Sequence, residues 1–452
     1  MRIHPHDLLL QDFATGDLED YEELLNHLVL CEDCRRRLHL LLPSRLAASH
    51  NVVDLSQRQD LLGNYEPFLR RATSHLRGLE TAYYRERAEA RLLMVELLEH
   101  PAERRTLIVR NSPRFQTWGL CELLLKRSRE QNFKDAVLGE GLARLSLEIL
   151  DCLDISYYGT EPVEDLRARA WGYIANSRRI KSDLRGSQDA FALAFSALER
   201  GTGEPMEKAV LLDLRASLKR AQRRLDEAQR LLRRAIQIFL EVGERHRAGR
   251  CLVKMSSVHH FSGEPERAIP VLYKALELID PQREPRLLLV GWHNLIDDLA
   301  ETGQFMQAQK LLVKARPLYQ QFSQPWSQNP RRWVEGKIAR GLRQHAQAET
   351  LLVKARNGFL AEGTPYDVAL VSLDLASLYA EQGRFPELKR VAEEMVPIFS
   401  SRQIHREALA ALSYWRQAVE AEKACLSLVT RVASFLKRAR HNPTLRFQEA
   451  EK

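Results

Sequence analysis

Six stretches of this chain recur at a nearly constant interval, and that interval limits the fold more than any other feature. Asp183-Leu-Arg-Gly-Ser187, Arg224-Leu-Asp-Glu-Ala228, Glu264-Pro-Glu-Arg-Ala268, Gln304-Phe-Met-Gln-Ala308, Gln344-His-Ala-Gln-Ala348 and Arg384-Phe-Pro-Glu-Leu388 end 41, 40, 40, 40 and 40 residues apart. Four positions after each comes Phe191, Leu232, Leu272, Leu312, Leu352 or Ala392, and three further on Ala194, Ala235, Ala275, Ala315, Ala355 or Met395. Spacings of four and three put these positions on one stripe of a helix. Twelve residues upstream lies the middle of a first helix, at Ala175, Ala216, Ser256, Ile296, Gly336 and Ala376. Mostly small side chains there let a neighbouring helix come close. Gly263, Gly303 and Gly383 stand between the two helices, where a left-handed cap suits glycine. Each pair offers an apolar face that only the next pair can cover, so stacking is the stable arrangement.

The pattern resembles the tetratricopeptide repeat in a longer variant, with Trp171 and Trp292 as the large residue early in the first helix. Arg223 and Arg343 replace the turn glycine, and Leu388 is oversized for its position. The resemblance implies an all-α, right-handed superhelical solenoid of helix pairs over residues 165–400. In such arrays first-helix residues one and four after the small position line the concave surface. Here these include Asn176, Arg179, Ser217, Arg220, Ser257, His260, Lys337 and Arg340. That lining reads as polar and basic, which points to an acidic or C-terminal-carboxylate ligand. Residues 404–440 continue the phase loosely through Leu428, Val432 and Phe435, so 401–452 reads as capping helices and a tail. Residues 63–164 read as helical with breaks at Pro101 and Pro113, either degenerate repeats or a separate collar, and 44–62 as a linker. Trp326 and Trp333 bracket a segment rich in Pro, Asn and Arg that reads as a loop.

Composition agrees with a helical, water-borne chain. Of 452 residues 44% are hydrophobic and only 7% aromatic, which favours helix over sheet. No window approaches the roughly 18 uninterrupted apolar residues of a membrane span, and the N-terminus lacks a secretion signal, so the reading is cytoplasmic. The net charge is +8, with −5 in residues 1–43 and +13 in the remainder. A basic array could attract nucleic acid, but its Arg and Lys alternate with Glu and Asp at helical spacing, which marks a solvated face.

One motif near the N-terminus is chemically pointed: His27-Leu-Val-Leu-Cys31-Glu-Asp-Cys34. His27 and Cys31, four apart, share a helical face, and the two cysteines form a C-x2-C knuckle. Zinc takes four tetrahedral N/S ligands and this run supplies three. His4 and His6 lie upstream and His39 beyond the knuckle, and each could supply the fourth. A redox pair without metal, or two inert cysteines, are the competing readings. The run is similar to the zinc-binding domain of anti-sigma factors, with His4-Pro5, then Phe13-Ala-Thr-Gly16-Asp17-Leu18, then His27, Cys31 and Cys34. That resemblance covers residues 1–43, implies a structural Zn2+, and makes His4 the match for the first ligand. It also makes a sigma factor one candidate partner.

No Gly-rich phosphate loop, G-x-S-x-G elbow or H-E-x-x-H pair is present. His259-His260 is a doublet on a first helix, one of which should face the groove, and it reads as surface histidine rather than a ligand pair. The sequence therefore points to a non-enzymatic scaffold that regulates through protein or peptide partners, with no small-molecule substrate and no membrane. A pure assembly scaffold, with the zinc module as a cap, is the alternative. Nucleic-acid binding is the weakest reading.

Overall fold

The computed structural model describes residues 5–6, 9–10, 24, 27–28, 31, 34, 37, 83–132, 134–395, 415, 419, 426–440 and 445–447. Among them every regular element is helical, and no helix is long and apolar enough to cross a membrane. The contacts divide the chain into two compact units. One is Met1–Lys126 with Leu145–Leu153, the other Arg127–Arg144 with Asp154–Lys452. The linker expected over 44–62 lies outside the described residues.

In the first unit, helix α1 is described over 83–99 and α2 covers Ala102–Asn111. Helices α3 (Trp118–Gln131) and α4 (Ala136–Leu150) run across the division between the units. Pro101 stands at the start of α2 and Pro113 opens a 3-10 turn, as the expected breaks require.

The second unit holds the repeats. Its first helices are α5 (Thr160–Ile180), α7 (Pro205–Ala221), α9 (Arg245–Phe261), α11 (Pro285–Glu301), α13 (Pro325–Gly341) and α15 (Pro365–Glu381). Each is followed by its second helix: α6 (Leu184–Glu199), α8 (Leu225–Glu241), α10 (Pro265–Leu278), α12 (Phe305–Gln320), α14 (His345–Ala361) and α16 (Phe385–Glu394). Further on comes α17, Leu426–Ala439. Proline opens α7, α11, α13 and α15, where its missing N–H costs nothing and its fixed φ suits the first turn. The loop expected between Trp326 and Trp333 is instead the start of α13. Pro325 takes its first position and Pro330 sits inside it, within the helix's first turns.

The turns within repeats follow one geometry. Gly303 has φ 76°, and the next amide, Gln304, donates 2.8 Å back to the Leu299 carbonyl, closing a Schellman cap. Arg223 and Arg343 adopt the same left-handed backbone at φ 63° and 59°, with the same return bonds from Arg224 to Lys219 and from Gln344 to Ala339. A non-glycine residue there costs roughly 1–2 kcal/mol. The surrounding stack holds the turn against that cost.

Every small position in the repeat is buried. Ser187, Ala228, Ala268, Ala308 and Ala348 are fully covered, and Leu388 fits its larger volume at 1% exposure. The first-helix positions Ala175, Ala216, Ser256, Ile296 and Ala376 are buried as well. Apolar clusters run from pair to pair along the unit. First helices of successive repeats approach one another (α5 with α7, α9 with α11, α11 with α13, α13 with α15), while each second helix packs mainly on the first helices beside it. The first helices thus form the inner, concave layer of a tetratricopeptide-type solenoid.

Candidate partner-binding groove and metal centre

The concave face carries a ladder of polar groups linked from one repeat to the next. Lys254 donates to Asp213 at 2.7 Å across 41 residues, and His260 Nδ1 lies 2.6 Å from Asp298 across 38. Lys337 donates to Asp297 and to Glu301, both at 2.7 Å, 40 and 36 residues back. Arg340 donates to Glu381 at 2.9 Å across 41 residues, and the Trp333 indole to Asp374 at 2.6 Å, also across 41. A separation near 40 is one repeat. The ladder ties neighbouring first helices at equal height.

These pairings set the electrostatics. Burial alone pushes the Lys337 ammonium down, yet Asp297 and Glu301 overcome it and hold the ammonium above its ordinary value. Burial likewise pushes Glu301 up, and Lys337 with Lys437 outweighs it, keeping that carboxyl well below the usual range. Asp298 goes the other way, because burial raises it to about 6 against the pull of His260. A cavity of about 960 Å³ opens beside this network, lined among others by His260, Glu301, Lys337, Arg340, Asp374 and Lys437.

The eight groove residues read from sequence fall into three groups. His260, Lys337 and Arg340 are ion-paired in the C-terminal half. Asn176 and Ser217 are buried, and the Ser217 and Ser257 hydroxyls donate to their own helices at Asp213 O and Val253 O. Arg179 and Arg220 differ. Arg179 donates to Asn176 Oδ1 at 2.9 and 3.1 Å, and the Arg220 guanidinium lies 5.9 Å from the centre of the Phe261 ring. Among the described residues neither guanidinium lies within ion-pair distance of a carboxylate. Burial and the neighbouring Arg220 push Arg179 down to about 10, and burial with Arg223 lowers Arg220.

Sequence reasoning missed the acids Asp213, Asp297, Asp298, Glu301, Asp374 and Glu381. A signal was present: Asp297 occupies the same column as Asn176, Ser217, Ser257 and Lys337, and Glu301 and Glu381 each fall five residues after a small position.

In the first unit, His27, Cys31 and Cys34 come together. Their ligand atoms all lie within 4.8 Å of one another, and His27 Nε2 is 3.2 Å from Cys34 Sγ. Both cysteines are buried. Burial, then the adjacent Cys31, pushes the Cys34 thiol up. Two thiols and an imidazole at that spacing suit a tetrahedral zinc, whose bonds of about 2.0–2.3 Å place ligand atoms roughly 3.5 Å apart. His4 and His39 lie outside the described residues, and His6 is exposed.

Residues 207–280 match the tetratricopeptide repeat family model. By sequence no curated protein matches. Among solved structures the chain is similar to a Rap protein complexed with competence and sporulation factor, at 12% identity and TM-score 0.52, over 69% of this chain and 85% of that one. It is also similar to the apo form of RapI, at 14% identity and TM-score 0.50, over 80% and 98%. Aspartyl phosphate phosphatase F from Bacillus subtilis aligns at 11% identity and TM-score 0.49, over 89% and 96%. At such identities the likeness is one of fold. It agrees with an all-helical solenoid of the tetratricopeptide type.

Proposed function

We propose that the chain is a non-enzymatic cytoplasmic regulator whose concave face grips a protein partner by an acidic segment at Arg179 and Arg220. The observation that carries this is their charge. Two partly buried guanidiniums in adjacent repeats lack carboxylate partners among the described residues, and burial works against their charge. An incoming carboxylate relieves that cost and can be held by two parallel bonds. The repeat match and the Rap-like fold, one example of which is a complex with competence and sporulation factor, support a protein or peptide ligand. The three N/S donors at His27, Cys31 and Cys34 support a structural Zn2+, with His4 as the proposed fourth ligand. The motif's similarity to anti-sigma domains leaves a sigma factor as one candidate partner, resting on the sequence alone.

Photo-cross-linking tests the groove reading. A benzophenone amino acid at Ser257, half-buried on α9, should capture a specific cellular protein, whereas one at Gln307, exposed on a second helix, should not. Capture from Gln307 alone, or from neither, contradicts the proposal.

A further inference from the structure

Helix α17 does not simply follow the last repeat; it reaches back along the groove. Its apolar stripe, Leu428, Val429, Val432, Phe435, Leu436 and Ala439, is buried in a cluster with α14, α15 and α16. Its basic end points elsewhere. Lys437 donates to both carboxylate oxygens of Glu301 at 2.6 Å, 136 residues back and two repeats before α15. Arg440 pairs with Asp367, its second nitrogen at 3.2 Å, and lies 5.5 Å from the Tyr366 ring. The Tyr366 hydroxyl donates 2.9 Å to the Leu436 carbonyl. A side chain at Gly263, in the turn between α9 and α10, would meet the Arg438 stem at 3.2 Å. The last turn of the helix therefore reaches the turn after α9, α11 and α15.

That seat has the chemistry of a ligand site. Glu301, Asp297, Asp298, Asp374 and Glu381 form an anionic wall, and α17 presents Lys437, Arg438 and Arg440 toward this half of the groove. Beside the Lys437–Glu301 bond an open cavity of about 960 Å³ remains, lined by Thr430 and Ser434 of α17 and by His260 and Asp374 among others. The apolar stripe is packed in the core, and the basic end is held mainly by charge.

We infer that α17 is an intramolecular occupant of the groove, filling the seat that a partner's helix takes when it displaces α17. The partner chemistry follows from the seat: an amphipathic helix with apolar residues at i, i+4 and i+7 and a basic last turn. This rests on the concave face being the partner surface. Binding in trans then competes with binding in cis, and the apparent affinity falls with the fraction of chains whose seat is open.

The test uses the full chain and a labelled peptide of residues 426–440. The peptide should bind a chain carrying Lys437→Glu and Arg440→Glu at least tenfold more tightly than the unaltered chain, because the variant's own helix holds its seat poorly. A peptide carrying the same two changes should not bind. Equal affinity for the two chains, or no binding to the variant, overturns the inference and makes α17 a fixed part of the fold. Amide exchange in the unaltered chain checks this without any substitution. Amides of 426–440 should exchange at least tenfold faster than those of α15, and exchange in step with α15 overturns the inference. If these results are negative while Ser257 still captures a partner, only the role of α17 fails. If Ser257 captures nothing in either chain, the groove reading fails with it.

Discussion

The two halves of the concave face are built from the same positions of the same repeat, yet they carry opposite fields. In the N-terminal half, Arg179 and Arg220 project from α5 and α7 without an ion-paired carboxylate among the described residues; Asp213 favours the charge of both from a distance while its bond goes to Lys254. In the C-terminal half, Lys337 and Arg340 occupy the same columns of α13 and are more than neutralised by Asp297, Glu301, Asp374 and Glu381. The difference teaches that a column of residues does not define a groove's charge. Each cation is read together with the group one repeat away at the same height, and a period near 40 residues places that group.

The largest expected effect tests the phase on which both halves depend. Ala308 is fully buried where α12 meets its neighbours, and Ala308→Arg should cost more than about 4 kcal/mol, because overpacking adds to an unpaired buried charge. Gln307→Arg, next to it and exposed, should cost under about 0.5 kcal/mol. Thermal melting of the two variants reads the contrast, and equal melting would show the repeat phase to be wrong.

A smaller effect separates the halves directly. Lys337→Met leaves Asp297 and Glu301 short of their partner and should destabilise by about 3 kcal/mol. Arg179→Met removes a cation that burial already disfavours, so it should change stability by under about 1 kcal/mol, in either direction. Urea midpoints decide, and equal losses would erase the distinction between the halves.

Smaller again is a pH signature confined to the C-terminal half. The Glu301 carboxyl is held below its ordinary range, so its stabilising contribution is complete above the unfolded value of about 4.3 and is lost as pH falls toward the folded value. The stability difference between the unaltered chain and Glu301→Gln should shrink as pH falls below about 4.3, whereas between about pH 8 and 5 it follows the neighbouring His260 and Asp298, which Glu301 shifts upward. A difference that does not shrink below about pH 4 would show that the lysines do not control Glu301.

Neither half should respond to the metal centre. Elemental analysis should find about one zinc per chain, bound more weakly in acid because thiolate and imidazole must lose protons. Cys34→Ser should abolish binding and leave the helical circular dichroism nearly unchanged. Absence of zinc from reduced, metal-replete protein would remove the structural-zinc reading.

What was legible in the sequence was whatever repeats within one element. The stripe Ala268, Leu272 and Ala275 is periodic, and all three are fully buried. Arg223 and Arg343 stood where glycine was expected, and they take the left-handed backbone of that position. The segment between Trp326 and Trp333 misled because its Pro330 suggests a loop, although it lies in α13, which Pro325 opens at the position that favours proline. The acids of the groove were hidden for another reason. Asp213, Asp374 and Glu381 sit at different offsets from the small residue, and only the superposition of successive repeats brings them opposite their cations. Contacts of α17 were beyond any periodic reading. Its stripe at Leu428, Val432 and Phe435 was visible, but a Lys437–Glu301 bond across 136 residues joins elements that share no period.

The asymmetry of the groove is tested most directly by titrating an acidic, all-glutamate decapeptide into the full chain by calorimetry. Binding should be lost in an Arg179→Ala, Arg220→Ala double variant and kept within twofold in Arg340→Ala, whose guanidinium is already occupied by Glu381. Binding that survives the double variant, or that falls with Arg340→Ala, contradicts the account.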